Sequence, residues 1–311
     1  MTRHACLRAS AALFVLGGAL VAPLAQAHNL WLLPSITVLS DTKQKVTVDA
    51  GASTRAFEPN HAAIGTDGVS VIAPDGSAGK IENAARLANR SVFDVAIDKE
   101  GTWRIGISNE GMSGRFKVNG EDWMLGRRRG PPPGATPPAG AGAPAAPAAG
   151  APGAPGGRPR FDPSHIVAEV DQIPAGATDL DLAETQSTNE FFVTAGAPTT
   201  TTFTPKGKGL EFVPETLPTD LVAGEPARFR FLIDGKPASG LKVEALPGPG
   251  RFFAAEDSLE ATTDAQGGVS LPFAKPGLYW LHVEAEDAKP SDSRAQKRRM
   301  SYTATLEVLA P

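Results

Sequence analysis

Residues 91–97 read Ser-Val-Phe-Asp-Val-Ala-Ile, and residues 101–107 read Gly-Thr-Trp-Arg-Ile-Gly-Ile. In both stretches apolar residues tend to alternate with polar or small ones, so that one face is apolar, as in a half-buried β-strand. The three residues between them, Asp-Lys-Glu, followed by Gly101, are typical of a turn. This pair of strands sets the period-two pattern by which we interpret the rest of the chain.

The same period recurs on both sides of this pair. Predicted strands are Lys45–Asp49, Val69–Ile72, Arg115–Val118, Phe191–Thr194, Thr200–Phe203, Gly209–Pro214, Ala227–Ile233, Leu241–Leu246, Leu278–Ala285 and Tyr302–Leu309. Residues 81–89 are compatible with a short helical turn, and no segment sustains a 3.6-residue period. Short strands separated by Gly, Pro and Asp turns predict an all-β protein built from immunoglobulin- or transthyretin-like β-sandwiches.

Residues 127–160 divide the chain. Pro, Gly and Ala dominate this segment and arginines flank it. Such a composition buries too little apolar surface to offset its chain entropy, which predicts a disordered spacer. The predicted domains are therefore an N-terminal sandwich over residues 28–126 and a C-terminal sandwich over residues 209–311.

Residues 161–205 are too few and too polar for a domain of their own. Either they return to complete the first sandwich, so that the spacer is an insertion within it, or they bridge the two sandwiches. The sequence favours the first arrangement and leaves the second open.

The first 27 residues have the features of a signal peptide. Arg3 and Arg8 precede an apolar run from Ala11 to Leu24, and Ala25-Gln26-Ala27 supplies the small residues of a cleavage site. We therefore expect an exported, periplasmic protein that begins at His28. The single cysteine, Cys6, would leave with the leader, so disulfides and thiolate metal sites are not expected.

Composition narrows the class of partner. The net charge is −4, and it becomes more negative without the two leader arginines. This argues against nucleic acid, whose binding depends on basic surfaces. The leader run is too short for a comfortable membrane span, and no later stretch approaches twenty apolar residues, so no membrane span is expected after processing.

Two histidines near the predicted start suggest a metal site. An N-terminal His28 would offer an α-amine and an imidazole from one residue, and the apolar residues 30–33 behind it would anchor it as a first strand. His61 lies in a predicted loop between strands. Together they would supply three nitrogens, a set that suits copper, nickel or zinc.

His282 is the third candidate ligand. Period two places Trp280, His282 and Glu284 on one face of their strand, and the apolar Tyr279, Leu281 and Val283 on the other. The apolar face is expected to form the core, so His282 is predicted to point outward, as a ligand or as an ordinary surface or interface histidine.

Motifs of known catalytic chemistry are missing from the sequence. It contains no His-Glu-x-x-His, no Gly-x-Ser-x-Gly and no phosphate-binding glycine loop. We therefore do not expect an enzyme.

The order of several short motifs resembles exported proteins of the DUF4198 family. These are His28-x-x-Trp31-Leu32-x-Pro34, Asn60-His61, residues 73–76, residues 101–105, residues 209–214, residues 234–237, Thr263-Asp264-x-x-Gly267 and Pro276-Gly277-x-Tyr279. The resemblance implies an exported two-domain β protein with a possible metal site. It also implies a role in cobalt or nickel uptake, since the family is labelled by analogy as similar to NikM-type proteins. His28 and His61 match positions that carry histidine in similar proteins, His282 matches none of the motifs, and the spacer departs from the pattern.

Three functions remain open from the sequence. The first is a periplasmic protein that binds nickel, cobalt or copper and passes the ion to a membrane transporter. The second is a metal-free scaffold or adhesion module, which the fold alone would permit. The third is a copper oxidase built on the N-terminal histidine, which would need an open coordination position.

Overall fold

The computed structural model describes residues 29–126, 163–253 and 257–311. Within these ranges the chain forms twenty strands and only short 3-10 helices. The predicted spacer over residues 127–160 and His28 lie outside the described residues. The all-β class predicted from the alternating pattern is confirmed.

The strands are numbered in chain order. They are β1 Asn29–Pro34, β2 Val38–Leu39, β3 Gln44–Ser53, β4 Ala62–Ala63, β5 Val69–Ile72, β6 Ile81–Arg86, β7 Ser91–Ile97, β8 Gly101–Val118, β9 Glu121–Leu125, β10 Ile166–Val167, β11 Thr178–Ala195, β12 Leu210–Pro214, β13 Leu221–Val222, β14 Pro226–Ile233, β15 Lys236–Pro237, β16 Lys242–Gly248, β17 Leu259–Thr262, β18 Gly268–Pro272, β19 Gly277–Asp287 and β20 Lys297–Leu309. The 3-10 helices are Pro163–His165, Val170–Gln172, Thr201–Phe203 and Gly250–Phe252.

The strands form three sheets. The N-terminal sheet has the order β1-β3-β7-β6, with β4 beside β3. The central sheet has the order β10-β9-β8-β11-β20-β19-β16-β17, with β5, β2 and β13 paired to β8, β11 and β20. The C-terminal sheet has the order β12-β14-β15, with β18 beside β14.

The central sheet packs against a different sheet on each side. Its Ile105 and Phe191 join Leu32, Val48 and Phe93 of the N-terminal sheet in one core. Phe192, Leu281 and Tyr302 join residues of the C-terminal sheet, such as Phe212 and Phe231, in a second core. Each core is therefore the apolar interior of a two-layer β-sandwich, which confirms the predicted sandwich fold.

Strand β11 contributes to both cores. Because successive side chains of a strand point to opposite faces, Phe191 and Val193 enter the N-terminal core while Phe192 enters the C-terminal core. β11 pairs antiparallel with β8 from Thr178 to Ala195 and parallel with β20 from Ala183 to Phe191. The segment after the spacer therefore pairs with the strands of both halves.

Two local predictions are wrong. Residues 81–86 form strand β6 rather than a helical turn, because they pair with β7 at the sheet edge, with a bulge at the left-handed Asn83. Residues 201–203 form a 3-10 helix rather than a strand, since the Phe203 amide donates to the Thr200 carbonyl oxygen. Phe203 then packs on Phe192, with ring centroids 4.8 Å apart. Tertiary pairing and packing decided both segments.

The contact between β8 and β11 leaves no room for a side chain at Gly106. A Cβ atom there would lie 2.6 Å from the Glu190 Cβ and 2.8 Å from the Asn189 carbonyl oxygen. At Gly111, on the same strand, the nearest atom would be 3.9 Å away. A side chain at Gly106 would therefore clash with strand β11, whereas a side chain at Gly111 has room.

We predict that Gly106→Ala lowers the free energy of unfolding by about 1–3 kcal/mol, because strands β8 and β11 must move apart. Gly111→Ala is the matched control, and we expect it to change stability by less than about 1 kcal/mol. Urea unfolding of both variants measures the difference. Equal effects would contradict the close strand contact.

Candidate functional site

On four neighbouring strands of the central sheet, one isoleucine and three polar side chains lie in one row. In the β-ladder register, Ile107 of β8 lies opposite Asn189 of β11, Asn189 opposite Thr303 of β20, and Thr303 opposite His282 of β19. These side chains share the face that packs against the N-terminal sheet further along the strands, where Phe191 is buried. The row therefore lies where the apolar N-terminal core gives way to polar residues.

A cavity of about 430 Å³ opens above this row. Its floor is formed by the four strands, and its walls by Leu30 of β1 and by Ile64, Gly65, Asp67 and Gly68 in the connection from β4 to β5. This volume is in the range typical of small-molecule sites. The cavity is thus bounded by both the N-terminal sheet and the central sheet.

His282 is held firmly in this cavity. Only 8% of the residue is exposed, and its ring stacks on Trp280 with centroids 4.8 Å apart and an interplanar angle of 13°. The Trp280 indole Nε1 donates to the Leu30 carbonyl oxygen at 2.9 Å. The ring of His282 is therefore fixed relative to the start of β1.

The two ring nitrogens of His282 have different partners. Nε2 lies 3.3 Å from Glu284 Oε1, and Nδ1 lies 3.2 Å from Thr303 Oγ1. The hydrogen bond from His282 holds the pKa of Glu284 below its usual range. Because an ionised carboxylate only accepts hydrogen bonds, Nε2 carries a proton, and in the neutral ring Nδ1 then accepts from the Thr303 hydroxyl. Nδ1 is thus directed toward Thr303, in the row of side chains that forms the cavity floor.

Asn189 is the most unusual polar residue of the cavity. It is 7% exposed, and within the described part of the chain neither its side-chain oxygen nor its side-chain nitrogen has a hydrogen-bond partner. A buried polar group left without a partner costs about 1–3 kcal/mol. Such a group calls for an explanation, and an ordered water or a ligand in the cavity would each supply one.

The charge of the cavity is slightly negative. Among the described residues that line it, Asp67 is the one carboxylate, His282 is the one histidine, and there is no lysine or arginine. Hydroxyl and amide groups supply the remaining polar side chains: Asn109, Ser187, Thr188, Asn189, Ser301 and Thr303. The lining therefore suits a cation or a neutral polar molecule better than an anion.

A second cavity, of about 360 Å³, is less suited to a ligand. Two of its cationic residues already pair with carboxylates: Arg104 Nε lies 2.6 Å from Glu190 Oε2, and Lys208 Nζ lies 2.8 Å from Glu110 Oε1. Tyr302 also donates to Glu190, and burial raises the pKa of its phenol. This network connects β8, β11 and β20 across the sheet and is explained by structure alone.

The predicted ligands are not all brought together. His282 was predicted to point outward; it does face away from the C-terminal core, but it is buried because β1 and the N-terminal sheet cover that face. His61 is exposed, next to Asn60, whose side chain bonds to Thr54, and it does not line the cavity. Among the described residues no group of three His, Cys, Asp or Glu side chains could hold a metal ion.

Sequence reasoning missed Asn189, Thr303 and Asp67. Alternation alone would place Asn189 on the same face as Phe191, two residues later. What the sequence did not show is that β11 lies beside β20, which brings Asn189 next to Thr303.

The profile described as "Domain of unknown function (DUF4198)" matches residues 25–287. The chain belongs to the DUF4198 family. The resemblance noted in the sequence is thereby confirmed, and no curated protein matches. No helix in the described ranges is long and apolar enough to cross a membrane.

Solved structures resemble this DUF4198 protein only weakly. The D0-D1 domain of intimin is 10% identical with a TM-score of 0.20, covering 89% of this chain and 97% of that chain. The human OSCAR ligand-binding domain is 12% identical with a TM-score of 0.18, covering 90% and 99%. The chicken CNTN1 FN1-FN3 domains are 9% identical with a TM-score of 0.21, covering 89% and 97%. Likeness at this level carries no argument about function.

We predict that Asn189→Leu raises the free energy of unfolding by about 1 kcal/mol or more, because it removes an unpaired buried amide without opening a void. Asn109→Leu, at an exposed position of the same cavity, is the control and should change stability by less than about 0.5 kcal/mol. Urea unfolding compares the two. If Asn189→Leu destabilises the protein instead, Asn189 has a structural role.

Proposed function

We propose that this protein is an exported, periplasmic transition-metal-binding protein that takes part in the uptake or handling of nickel, cobalt or copper. The role is binding and delivery, to a membrane transporter, rather than catalysis. The observation that carries the proposal is the setting of His282: one ring nitrogen donates to Glu284, and the other faces the cavity floor beside Thr303.

A histidine that donates its second nitrogen to a carboxylate is the usual arrangement of a metal-ligating imidazole. The carboxylate fixes the tautomer and makes the other nitrogen a better ligand. Imidazole nitrogen is a ligand that copper, nickel and cobalt accept. A metal at Nδ1 would replace the hydroxyl proton of Thr303 as the partner of that lone pair.

The start of the chain supports a second contribution to the site. Leu30 lines the cavity, and Leu32 belongs to the N-terminal core, so even-numbered residues of β1 face the central sheet. His28 precedes Leu30 by two residues in the sequence and lies outside the described residues. In our proposal, cleavage after Ala27 frees the His28 amine, which together with its imidazole joins His282.

His61 provides the alternative pairing for His28. Ala62 and Leu30 both pair with Ala52, from opposite sides of β3. His61, which precedes Ala62, therefore lies at the same end of the N-terminal sheet as the start of β1. The cavity favours His28 with His282 as the metal ligands, and His28 with His61 is the alternative pair. Substituting His61 or His282 distinguishes these two sites.

We predict that protein comprising residues 28–311 shows a rise in melting temperature with divalent ions in the order copper, nickel, cobalt. His282→Gln should remove most of the rise, and a methionine placed before His28 should reduce it. The response should weaken as the pH is lowered, because protons compete for every nitrogen ligand. His61→Ala should leave it nearly unchanged.

Glu284→Gln refines this test without removing a ligand. We expect metal affinity to fall about tenfold or more, because the carboxylate that orients His282 is lost. Glu286→Gln is the matched control, since Glu286 is an exposed carboxylate two residues along the same strand that pairs with Arg299.

If His61→Ala abolishes the metal response and His282→Gln does not, the site lies between His28 and His61. If no protein responds to metal, the proposal is wrong.

A further inference from the structure

We propose that the cavity on the central sheet binds a neutral monosaccharide, and that Asn189 holds two neighbouring hydroxyl groups of the sugar. The inference goes beyond the metal-binding function and does not rest on it, since it requires no ion. It follows from the arrangement of polar side chains on the cavity floor, the buried amide without a partner among the described residues, and the charge of the described lining.

The floor of the cavity carries a second row of polar side chains beside the row described above. In the ladder register Asn109 lies opposite Ser187, and Ser187 lies opposite Ser301. Asn189 and Thr303 stand two positions further along the strands of Ser187 and Ser301, so they share the same face of the sheet. All five residues line the cavity. Its floor is therefore a grid of amide and hydroxyl groups.

The spacing of this grid matches a pyranose ring. Neighbouring strands lie about 4.8 Å apart, and residues two apart along a strand are separated by about 6.7 Å. The four grid residues of β11 and β20 therefore stand at the corners of a rectangle of about 4.8 by 6.7 Å. The hydroxyl groups of a pyranose radiate from the ring over a similar span. A sugar lying on the floor thus reaches side chains of both strands, while His282 stays outside the rectangle on β19.

Asn189 offers the contact that a pair of neighbouring hydroxyl groups makes best. Its side-chain oxygen accepts and its side-chain nitrogen donates, and in the described part of the chain neither atom has a hydrogen-bond partner. One hydroxyl of a vicinal diol donates to the oxygen while the next hydroxyl accepts from the nitrogen. Because the residue is 7% exposed, a bound sugar would offset the cost of burying this amide.

The other lining groups fit the same ligand. The hydroxyls of Ser187 and Ser301 can each donate or accept, as sugar hydroxyls do. Asp67, at the exposed side of the cavity, accepts from a sugar hydroxyl. Leu30 and Ile64 form an apolar wall against which the C–H groups of the ring can pack. The cavity thus combines adaptable polar contacts with an apolar surface.

The charge and size of the cavity select an uncharged, small sugar. The described lining includes one carboxylate, Asp67, and no lysine or arginine. A sugar phosphate or a uronate would therefore leave water without gaining a cationic partner. The volume of about 430 Å³ lies toward the lower end of the range of ligand cavities, about 300–1,000 Å³. This size suits one sugar ring better than a chain of rings.

Isothermal titration calorimetry on protein comprising residues 28–311 tests the inference, with EDTA present so that no metal takes part. The probes are D-glucose, D-galactose and D-mannose, of which the last two each differ from glucose in the orientation of one hydroxyl. We expect at least one of them to bind. Its affinity should fall about tenfold or more in Asn189→Leu, because two hydrogen bonds are lost, and about threefold or more in Ser301→Ala.

Gln186→Leu is the matched control, since Gln186 is a carboxamide on the same strand that lines the second cavity instead. We expect it to keep the wild-type affinity. The uronate of the sugar that binds should bind at least tenfold more weakly, because it carries a charge. The methyl glycosides of that sugar identify its source: equal affinity indicates the end of a glycan, and loss of binding indicates the free sugar.

The inference is wrong if none of the three sugars binds. It is also overturned if binding persists in Asn189→Leu, or if Gln186→Leu lowers the affinity equally, since the sugar would then bind elsewhere. Binding of N-methylacetamide without binding of any sugar would show that the cavity takes an amide, which contradicts the proposal. Because metal binding is measured without sugar and sugar binding without metal, either proposal can fail while the other stands.

Discussion

The position of β11 between β8 and β20 is the constraint on which the molecule depends. Its alternating side chains supply Phe191 to one core and Phe192 to the other, so a single strand belongs to both sandwiches. Sliding β11 by one residue would exchange the two faces and place Glu190 in the N-terminal core. The close contact at Gly106 and the bonds from Arg104 and Tyr302 to Glu190 fix this register.

The same register creates the cavity. It places Asn189 beside Thr303 and Thr303 beside His282, while β1 and the loop before β5 cover the row without filling it. The buried amide of Asn189 has no hydrogen-bond partner among the described residues, and natural proteins depart from such local rules mainly at functional sites. The side chains of the proposed site therefore lie in one row, and strand pairing rather than loop conformation sets their positions.

Much of the fold could be predicted from the sequence, because alternation is a local signal. Strands such as Val69–Ile72 and Ser91–Ile97 were located to the residue, and the sandwich class followed from them. Which strands are neighbours depends on contacts between distant residues, so the pairing of β11 with β20 was not visible. Asn189 was therefore not considered. His282 was expected to point outward because the cover by β1 and the N-terminal sheet is also a contact between distant residues.

Anomalous X-ray diffraction from crystals of residues 28–311 grown with nickel tests the central claim most directly, since it locates the ion. We predict the strongest peak inside the cavity, about 2.1 Å from His282 Nδ1. A peak beside His61, or at any other position with the cavity free of metal, would contradict this account.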